Sequence, residues 1–188
     1  MRYVLASRSP RRKELLGRIV ADFDIVTKET DETLPVGVHP RDGVEILAVR
    51  KGGAVVSEIS DDALVVSSDT LVEIDGKPLG KPTDGEDAVA MLLSLSGRTH
   101  NVHTGVAVHF HGKVYSGVDT AHVTFKLFDE ACARRYVQTG EPMDKAGSYA
   151  IQGIGAGLVE KYEGEFEAIV GLGLTLTKKL IDEALADE

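Results

Sequence analysis

Apolar residues along the chain alternate between strand-like and helix-like spacing, a pattern that predicts a mixed α/β protein. Continuous apolar runs bounded by polar residues, such as residues 63–66, indicate buried strands. Two long alternating segments flank His111-Gly112 and should pair antiparallel. Strands are predicted at 3–6, 23–26, 63–66, 100–110 and 113–127, hairpins at 71–79 and at 158–162 with 166–170, and helices at 10–18, 41–57, 83–95, 129–140 and 174–185.

Local signals set several of these boundaries. Ser9 followed by Pro10 is a helix start, because proline fits the first helical position. Residues 83–86 match a capping box, and Asp75-Gly76 is the pair that a type I′ turn favours. Gly52-Gly53 weakens the prediction of a helix at 41–57. Because hairpins interrupt the alternation of helices and strands, we expect a central mixed sheet with flanking helices, in one domain over residues 1–188.

Composition narrows the class of protein. The 188 residues carry a net charge of -9 and are 43% hydrophobic, so the chain can bury a core without disulfides. Cys132 is the only cysteine, which excludes an internal disulfide and allows a reducing compartment. No apolar run approaches the roughly 20 residues of a membrane helix. We therefore expect a cytoplasmic protein with no membrane partner, and the acidic balance argues against nucleic-acid binding.

The first 18 residues are basic, with six Lys and Arg against Glu14 alone. Residues 7–12 have the sequence S-R-S-P-R-R at a predicted helix start, where free N–H groups and the helix dipole bind anions. Arg11 and Arg12 can add bidentate phosphate contacts. This cluster predicts a small anionic ligand, the alternative being a capped surface helix with solvated arginines.

The segment S-S-D-T at residues 67–70 follows the predicted strand 63–66. Ligands of open α/β sheets lie beyond the carboxyl ends of strands, and an aspartate there can bind a divalent cation or activate water. Asp69 is therefore a candidate for catalysis, the alternative being a turn or a helix cap.

Two further segments carry candidate binding residues. Lys77 and Lys81 are each followed by proline, which presents them on stiff backbone, although solvated lysines are more usual. The motif is not a Walker loop, because proline follows Gly-Lys. Residues 140–153 form a polar loop in which Gln152 offers both donors and acceptors to a base.

Two segments resemble ligand-binding motifs but do not predict a binding site. The sequence G-I-G-A-G at residues 153–157 lacks the third glycine of a dinucleotide fingerprint and precedes a strand. His109 and His111 share a strand face but lack a nearby cysteine, so we expect no zinc site.

These segments, taken in order, resemble the Maf family of nucleoside triphosphate pyrophosphatases. The matching stretches are residues 5–12, 67–70, 80–82, 96–100 and 141–153. The resemblance implies hydrolysis of a nucleoside triphosphate to the monophosphate and pyrophosphate with a divalent cation, Mg²⁺ or Mn²⁺. It implies a fold similar to inosine triphosphate pyrophosphatases, with a cleft between two lobes, and a homodimer. Gln152 and Thr70 resemble the dTTP/UTP branch.

The resemblance also suggests roles for particular residues. Asp69 is the expected proton acceptor, and Glu32 is expected to help it hold the metal. The expected substrate-binding residues are Ser7, Arg11, Arg12, Lys51, Thr70, Lys81 and Gln152. Two alternatives stay open: a non-enzymatic regulator of cell division, a role attached to the family through septum formation, and a protein that binds nucleotides without hydrolysis.

Overall fold

The long alternating segments of the chain form the centre of one sheet. In the computed structural model, which describes residues 1–59 and 62–187, this sheet has seven strands and six α-helices surround it. The strands are β1 (Arg2–Leu5), β2 (Asp24–Ile25), β3 (Ala63–Ile74), β4 (Lys77–Leu79), β5 (Thr99–Phe110), β6 (Lys113–Phe125) and β7 (Val159–Glu163). The helices are α1 (Pro10–Leu16), α2 (Pro40–Val56), α3 (Gly85–Leu95), α4 (Glu130–Gln138), α5 (Phe166–Val170) and α6 (Leu174–Ala186).

The sheet is mixed, which confirms the predicted fold class. Its order is β2-β1-β3-β5-β6-β7, and β4 pairs with β3. β1 runs parallel to β2 and β3, whereas β3, β5, β6 and β7 pair antiparallel in succession. The predicted turns at Asp75-Gly76 and His111-Gly112 both connect antiparallel strands, with positive φ at all four residues. Within the described residues, no helix has the length and apolarity needed to cross a membrane.

One edge of β3 is open in its middle. β1 pairs with β3 as far as Leu5 opposite Val66, and β4 pairs with the same edge only from Val72 onward. β5 occupies the other edge along residues 65–73. In the described parts of the chain, residues 67–71 therefore have a strand neighbour on one side only, and a cleft opens between β1 and β4.

Helix α2 lies close against the sheet, because glycines leave no side chain between them at two points. A Cβ at Gly105 on β5 would lie 2.5 Å from Val44 O, and one at Gly52 would lie 2.5 Å from the His109 ring. Ser67 Oγ donates to Ala48 O at 2.7 Å and joins β3 to the same helix. Gly52 thus does not break the helix. It permits the close approach that brings the neighbouring residue of α2 over β3.

The predicted strand at 166–170 is wrong, because these residues form helix α5. Ala168, Ile169 and Val170 are all buried, so no alternation distinguishes a strand from a helix in this short apolar run. Gly171, with φ of 134°, ends the helix. The partner predicted for this segment, β7, pairs with β6 instead.

The prediction that residues 67–70 follow a strand is also wrong. They lie inside the twelve-residue β3, where Ser67 and Ser68 are fully buried and donate to Ala48 O and Gly171 O. These distant carbonyl groups allow polar residues to occupy the middle of a core strand. A smaller correction concerns α3, whose N-cap is Asp84, one residue after the predicted Thr83.

Candidate active site

The open edge of β3 forms one wall of a cavity of about 950 Å³. This volume suits a small-molecule ligand. The cavity lies between the β1–α1 turn, the loop before α2, and the segment that follows α4. All nine residues predicted to form the site line it: Ser7, Arg11, Arg12, Glu32, Lys51, Asp69, Thr70, Lys81 and Gln152.

Asp69 and Glu32 share the ammonium group of Lys51. Lys51 Nζ lies 2.6 Å from Asp69 Oδ1 and 2.8 Å from Glu32 Oε1. The side chains of Asp69 and Lys51 are only 13% and 17% exposed, so water screens this pair weakly. The hydrogen bond from Lys51 holds the pKa of Glu32 below its usual value. Lys51 thus joins the two acidic side chains, and the lowered pKa keeps Glu32 ionised at neutral pH.

Arg12 reaches the opposite face of β3, to which Thr70 points. Its guanidinium donates to Gly171 O at 2.9 Å, to Ser7 Oγ at 3.4 Å and to Thr70 Oγ1 at 3.3 Å. Thr104 Oγ1 donates to Ala168 O, so Thr70 Oγ1, 3.0 Å away, donates to Thr104. Burial lowers the pKa of Arg12, and Asp69 acts in the opposite direction. Arg12 stays charged and uses three of its five N–H groups to fix the walls of the cavity.

The cavity is cationic although the protein is acidic. Seven Lys and Arg residues line it against four Asp and Glu, in a chain of net charge -9. Arg8 and Lys28 belong to this set and were missed as site residues, although the basic character of residues 1–18 pointed to Arg8. Such a concentration of positive charge attracts a compact polyanion.

The segment after α4 supplies a further wall. It contains the short 3-10 helices Glu141–Asp144, Ala146–Ser148 and Gly153–Leu158 in place of the predicted irregular loop. Lys145 Nζ binds Asp144 Oδ1 at 2.6 Å, and both residues line the cavity. Gln152 is exposed at this wall, between the second and third of these helices.

Asp69 and Glu32 are two carboxylates of the cavity that could hold a hard cation. Within residues 1–59 and 62–187, no group of three or more His, Cys, Asp or Glu is placed to hold a metal ion. The His109 ring lies against helix α2, with Nε2 at 3.1 Å from Val49 O. Mg²⁺ in nucleotide sites needs only one or two carboxylates, because water and phosphate oxygens complete its shell. Asp69 and Glu32 match that requirement.

Comparison with a solved structure identifies the class of fold. The Ham1 protein of Staphylococcus aureus matches with a TM-score of 0.50 at 15% sequence identity, over 66% of this chain and 72% of that chain. At this identity the likeness concerns the fold alone. The molecule is a mixed α/β protein of that architecture, with a cleft lined by Lys and Arg side chains.

The sequence comparison is more specific: the chain belongs to the Maf family, whose Maf-like protein model matches residues 2–184. A relative from Bacillus velezensis, named dTTP/UTP pyrophosphatase, is 46% identical over 97% of this chain and 96% of its own length. Another of the same name, from Pelotomaculum thermopropionicum, is 47% identical over 91% of this chain and 90% of its own length. The resemblance seen in the sequence motifs is thereby confirmed.

Proposed function

We infer that this protein is a nucleoside triphosphate pyrophosphatase that hydrolyses dTTP and UTP to the monophosphate and pyrophosphate. One observation carries this inference: a weakly exposed carboxylate, Asp69, lies in a cavity lined by seven Lys and Arg residues. A triphosphate needs such cations along its length, and its hydrolysis needs a base near the α-phosphorus. Relatives that are 46% and 47% identical, over 96% and 90% of their own lengths, carry the name dTTP/UTP pyrophosphatase.

The proposed reaction is an in-line attack of water on the α-phosphorus. A bond forms between the water oxygen and Pα, and the bond from Pα to the bridging oxygen breaks. The electron pair of that bond leaves with pyrophosphate, and Asp69 accepts the proton of the water. Lys51 binds Oδ1 of Asp69, so we assign the proton transfer to Oδ2. A base held at the correct distance contributes about 10²–10⁴ to the rate.

The positive side chains would stabilise the negative charge that moves onto pyrophosphate. We assign phosphate contacts to Arg11, Arg12, Lys51 and Lys81, with the Ser7 hydroxyl as a further donor. Asp69 and Glu32 would hold Mg²⁺ or Mn²⁺, which, when bound, lowers the pKa of coordinated water and neutralises phosphate charge. These carboxylates already lie together because each binds Lys51.

Base selection is assigned to Gln152 and Thr70. Gln152 offers an amide that can both donate to and accept from a base edge. Thr70 donates to Thr104 and accepts from Arg12, so its contribution includes fixing the arginine beside the substrate. A site built from hydrogen-bonding groups rejects the wrong base because its own polar groups are then left unpaired.

The test is a panel of nucleoside triphosphates incubated with Mg²⁺ or Mn²⁺, with both products separated by chromatography. We expect monophosphate and pyrophosphate, with dTTP and UTP preferred. Asp69→Asn keeps the shape and removes the charge, and should lower kcat by at least about 10²-fold while nucleotide still binds. The matched control is Asp75→Asn, the same change at an exposed residue of the β3–β4 turn.

Other outcomes would contradict the proposal. Orthophosphate instead of pyrophosphate would place the cleaved bond elsewhere. Binding without products would favour a nucleotide-binding module or a division regulator, and unchanged turnover of Asp69→Asn would remove this residue from the mechanism. The cytoplasmic location and the homodimer are part of the same proposal, and sedimentation of the purified protein measures the latter.

A further inference from the structure

Glu141 lies behind the cavity wall, outside the residues that line the cavity, and binds the backbone of the segment that carries Gln152. Its Oε1 accepts the N–H of Ile154 at 3.0 Å, and its Oε2 accepts the N–H of Gly155 at 2.8 Å. The same Oε2 accepts the hydroxyl of Tyr136 at 2.7 Å. One carboxylate thus binds both the chain just after Gln152 and a side chain of helix α4.

Tyr136 extends this arrangement to the other side of Gln152. Its buried hydroxyl, while donating to Glu141, accepts the N–H of Ala150 at 3.1 Å. A Cβ at Gly155 would lie 2.5 Å from Tyr136 Oη, so a glycine is required for the chain to pass this close. The backbone is therefore bound at residue 150 and at residues 154 and 155, with Gln152 between these points.

The charge of Glu141 strengthens the arrangement. Burial opposes its ionisation, but hydrogen bonds from Tyr136 and from the two backbone N–H groups outweigh it and hold the pKa of Glu141 below the usual value. An ionised acceptor forms hydrogen bonds about twice as strong as a neutral one. Gln152 itself is exposed and has a flexible side chain, so the placement of its backbone determines where its amide can reach.

We propose that Glu141 is a positioning residue for base discrimination, and that with Tyr136 it holds residues 150–155 so that Gln152 meets the base. The proposal rests on the function proposed above. Glu141 is not among the residues that line the cavity, so we expect it to contact neither the phosphates nor the base. Its loss should therefore weaken the preference among bases and leave the chemistry at phosphorus intact.

The test compares dTTP with CTP, whose base is a pyrimidine with a different hydrogen-bonding edge. Glu141→Gln preserves the size but places an amide donor against groups that also donate. The ratio of kcat/KM for dTTP over CTP should fall by about tenfold or more, mainly through a higher KM for dTTP, while kcat/KM for CTP stays within about twofold. Tyr136→Phe should shift the ratio in the same direction. Glu86→Gln on α3, which removes an exposed carboxylate paired with Arg134, should leave the ratio unchanged.

A second measurement separates positioning from general damage. In a Gln152→Ala background the contribution of Gln152 to the preference is already lost, so adding Glu141→Gln should lower the ratio no further. An additional fall there, or an equal loss of activity on both nucleotides, would overturn the proposal. If Glu141→Gln does not fold, Tyr136→Phe serves as the test variant. An unchanged ratio of dTTP over CTP in Tyr136→Phe would also overturn the proposal.

The wild-type protein in the same assay tests the proposed function separately. Absence of pyrophosphate from every nucleotide would refute that function. The positioning role would then be measured by calorimetry as the ratio of dTTP to CTP affinity, where Glu141→Gln should still lower the ratio. An unchanged affinity ratio would refute the role.

Discussion

Replacing Gly52 by alanine tests whether α2 must lie this close to the sheet. The added methyl group would lie 2.5 Å from both Cδ2 and Nε2 of His109 and 2.6 Å from Ser67 Oγ. Neither group can move away freely, because His109 Nε2 lies 3.1 Å from Val49 O and Ser67 Oγ donates to Ala48 O at 2.7 Å. We expect the helix to be displaced from β3.

The neighbouring glycine provides the matched control and the magnitude. Alanine at Gly53 would have one contact, 3.7 Å from His109 Cε1, which is an ordinary van der Waals distance at an exposed position. Both substitutions gain about 1 kcal/mol of helix propensity. Only the change at Gly52 also overpacks the interior, at a cost of about 1–3 kcal/mol. Gly53→Ala should therefore stabilise the protein by about 1 kcal/mol, and its free energy of unfolding should be about 1–3 kcal/mol higher than that of Gly52→Ala.

Urea unfolding of the two variants and the wild type measures these differences as shifts in midpoint at constant slope. Turnover gives an independent readout. Lys51 precedes Gly52 and binds Asp69 at 2.6 Å, so displacement of α2 should lower kcat in Gly52→Ala and leave Gly53→Ala near the wild type. If Gly52→Ala proves as stable and as active as Gly53→Ala, the close approach is not what positions Lys51.

Two further substitutions test other parts of the fold. Asp119→Asn should stabilise the protein at neutral pH, because burial, with a smaller effect of Glu165, raises the pKa of Asp119 from 3.8 to about 6. Between these two pH values the folded protein retains a proton that the unfolded chain releases, so the stability advantage of the variant should grow across this range, to the order of 1 kcal/mol after solvent screening. A difference between the urea midpoints of the variant and the wild type that does not change with pH would contradict this. Arg12→Lys keeps the charge but loses the guanidinium group that binds Gly171 O and Thr70, and should lower the free energy of unfolding by about 1–3 kcal/mol in the same assay. An unchanged urea midpoint would contradict this.

Sequence patterns predicted most elements of this fold because their signals are local. Ser9 caps α1 through its contact with the N–H of Arg12, with Pro10 at the first helical position as expected. Asp75-Gly76 adopts the positive φ values that its hairpin requires. In each case a few adjacent residues contain the cause, so one sequence suffices to recognise it.

The misassigned segments depend on contacts with distant parts of the chain. The polar residues Ser67 and Ser68 resemble the end of a strand until their acceptors, Ala48 O and Gly171 O, are known. Glu141 lies in a recognised motif, but its partners are backbone N–H groups thirteen and fourteen residues away, which no spacing rule reveals. Gly52 weakened the prediction of a helix at 41–57. The structure shows instead that a glycine is needed there because the ring of His109, on β5, leaves no room for a side chain.

The open edge of β3 explains how the proposed proton acceptor, Asp69, can lie in the middle of a core strand and still line the cavity. A further strand paired along residues 67–71 would place its own backbone and side chains where the cavity now opens beside Asp69. Because β1 ends opposite Val66 and β4 extends only as far as Val72, residues 67–71 are left without a partner on this edge while β3 itself continues. β5 still pairs opposite Asp69, which fixes the carboxylate on rigid backbone. The residues proposed to bind substrate reach the cavity from α2 and from connecting segments on both sides of it. The gap between β1 and β4 on one edge, with β5 paired on the other, therefore gives Asp69 both a rigid backbone and an open cavity, as the proposed reaction requires.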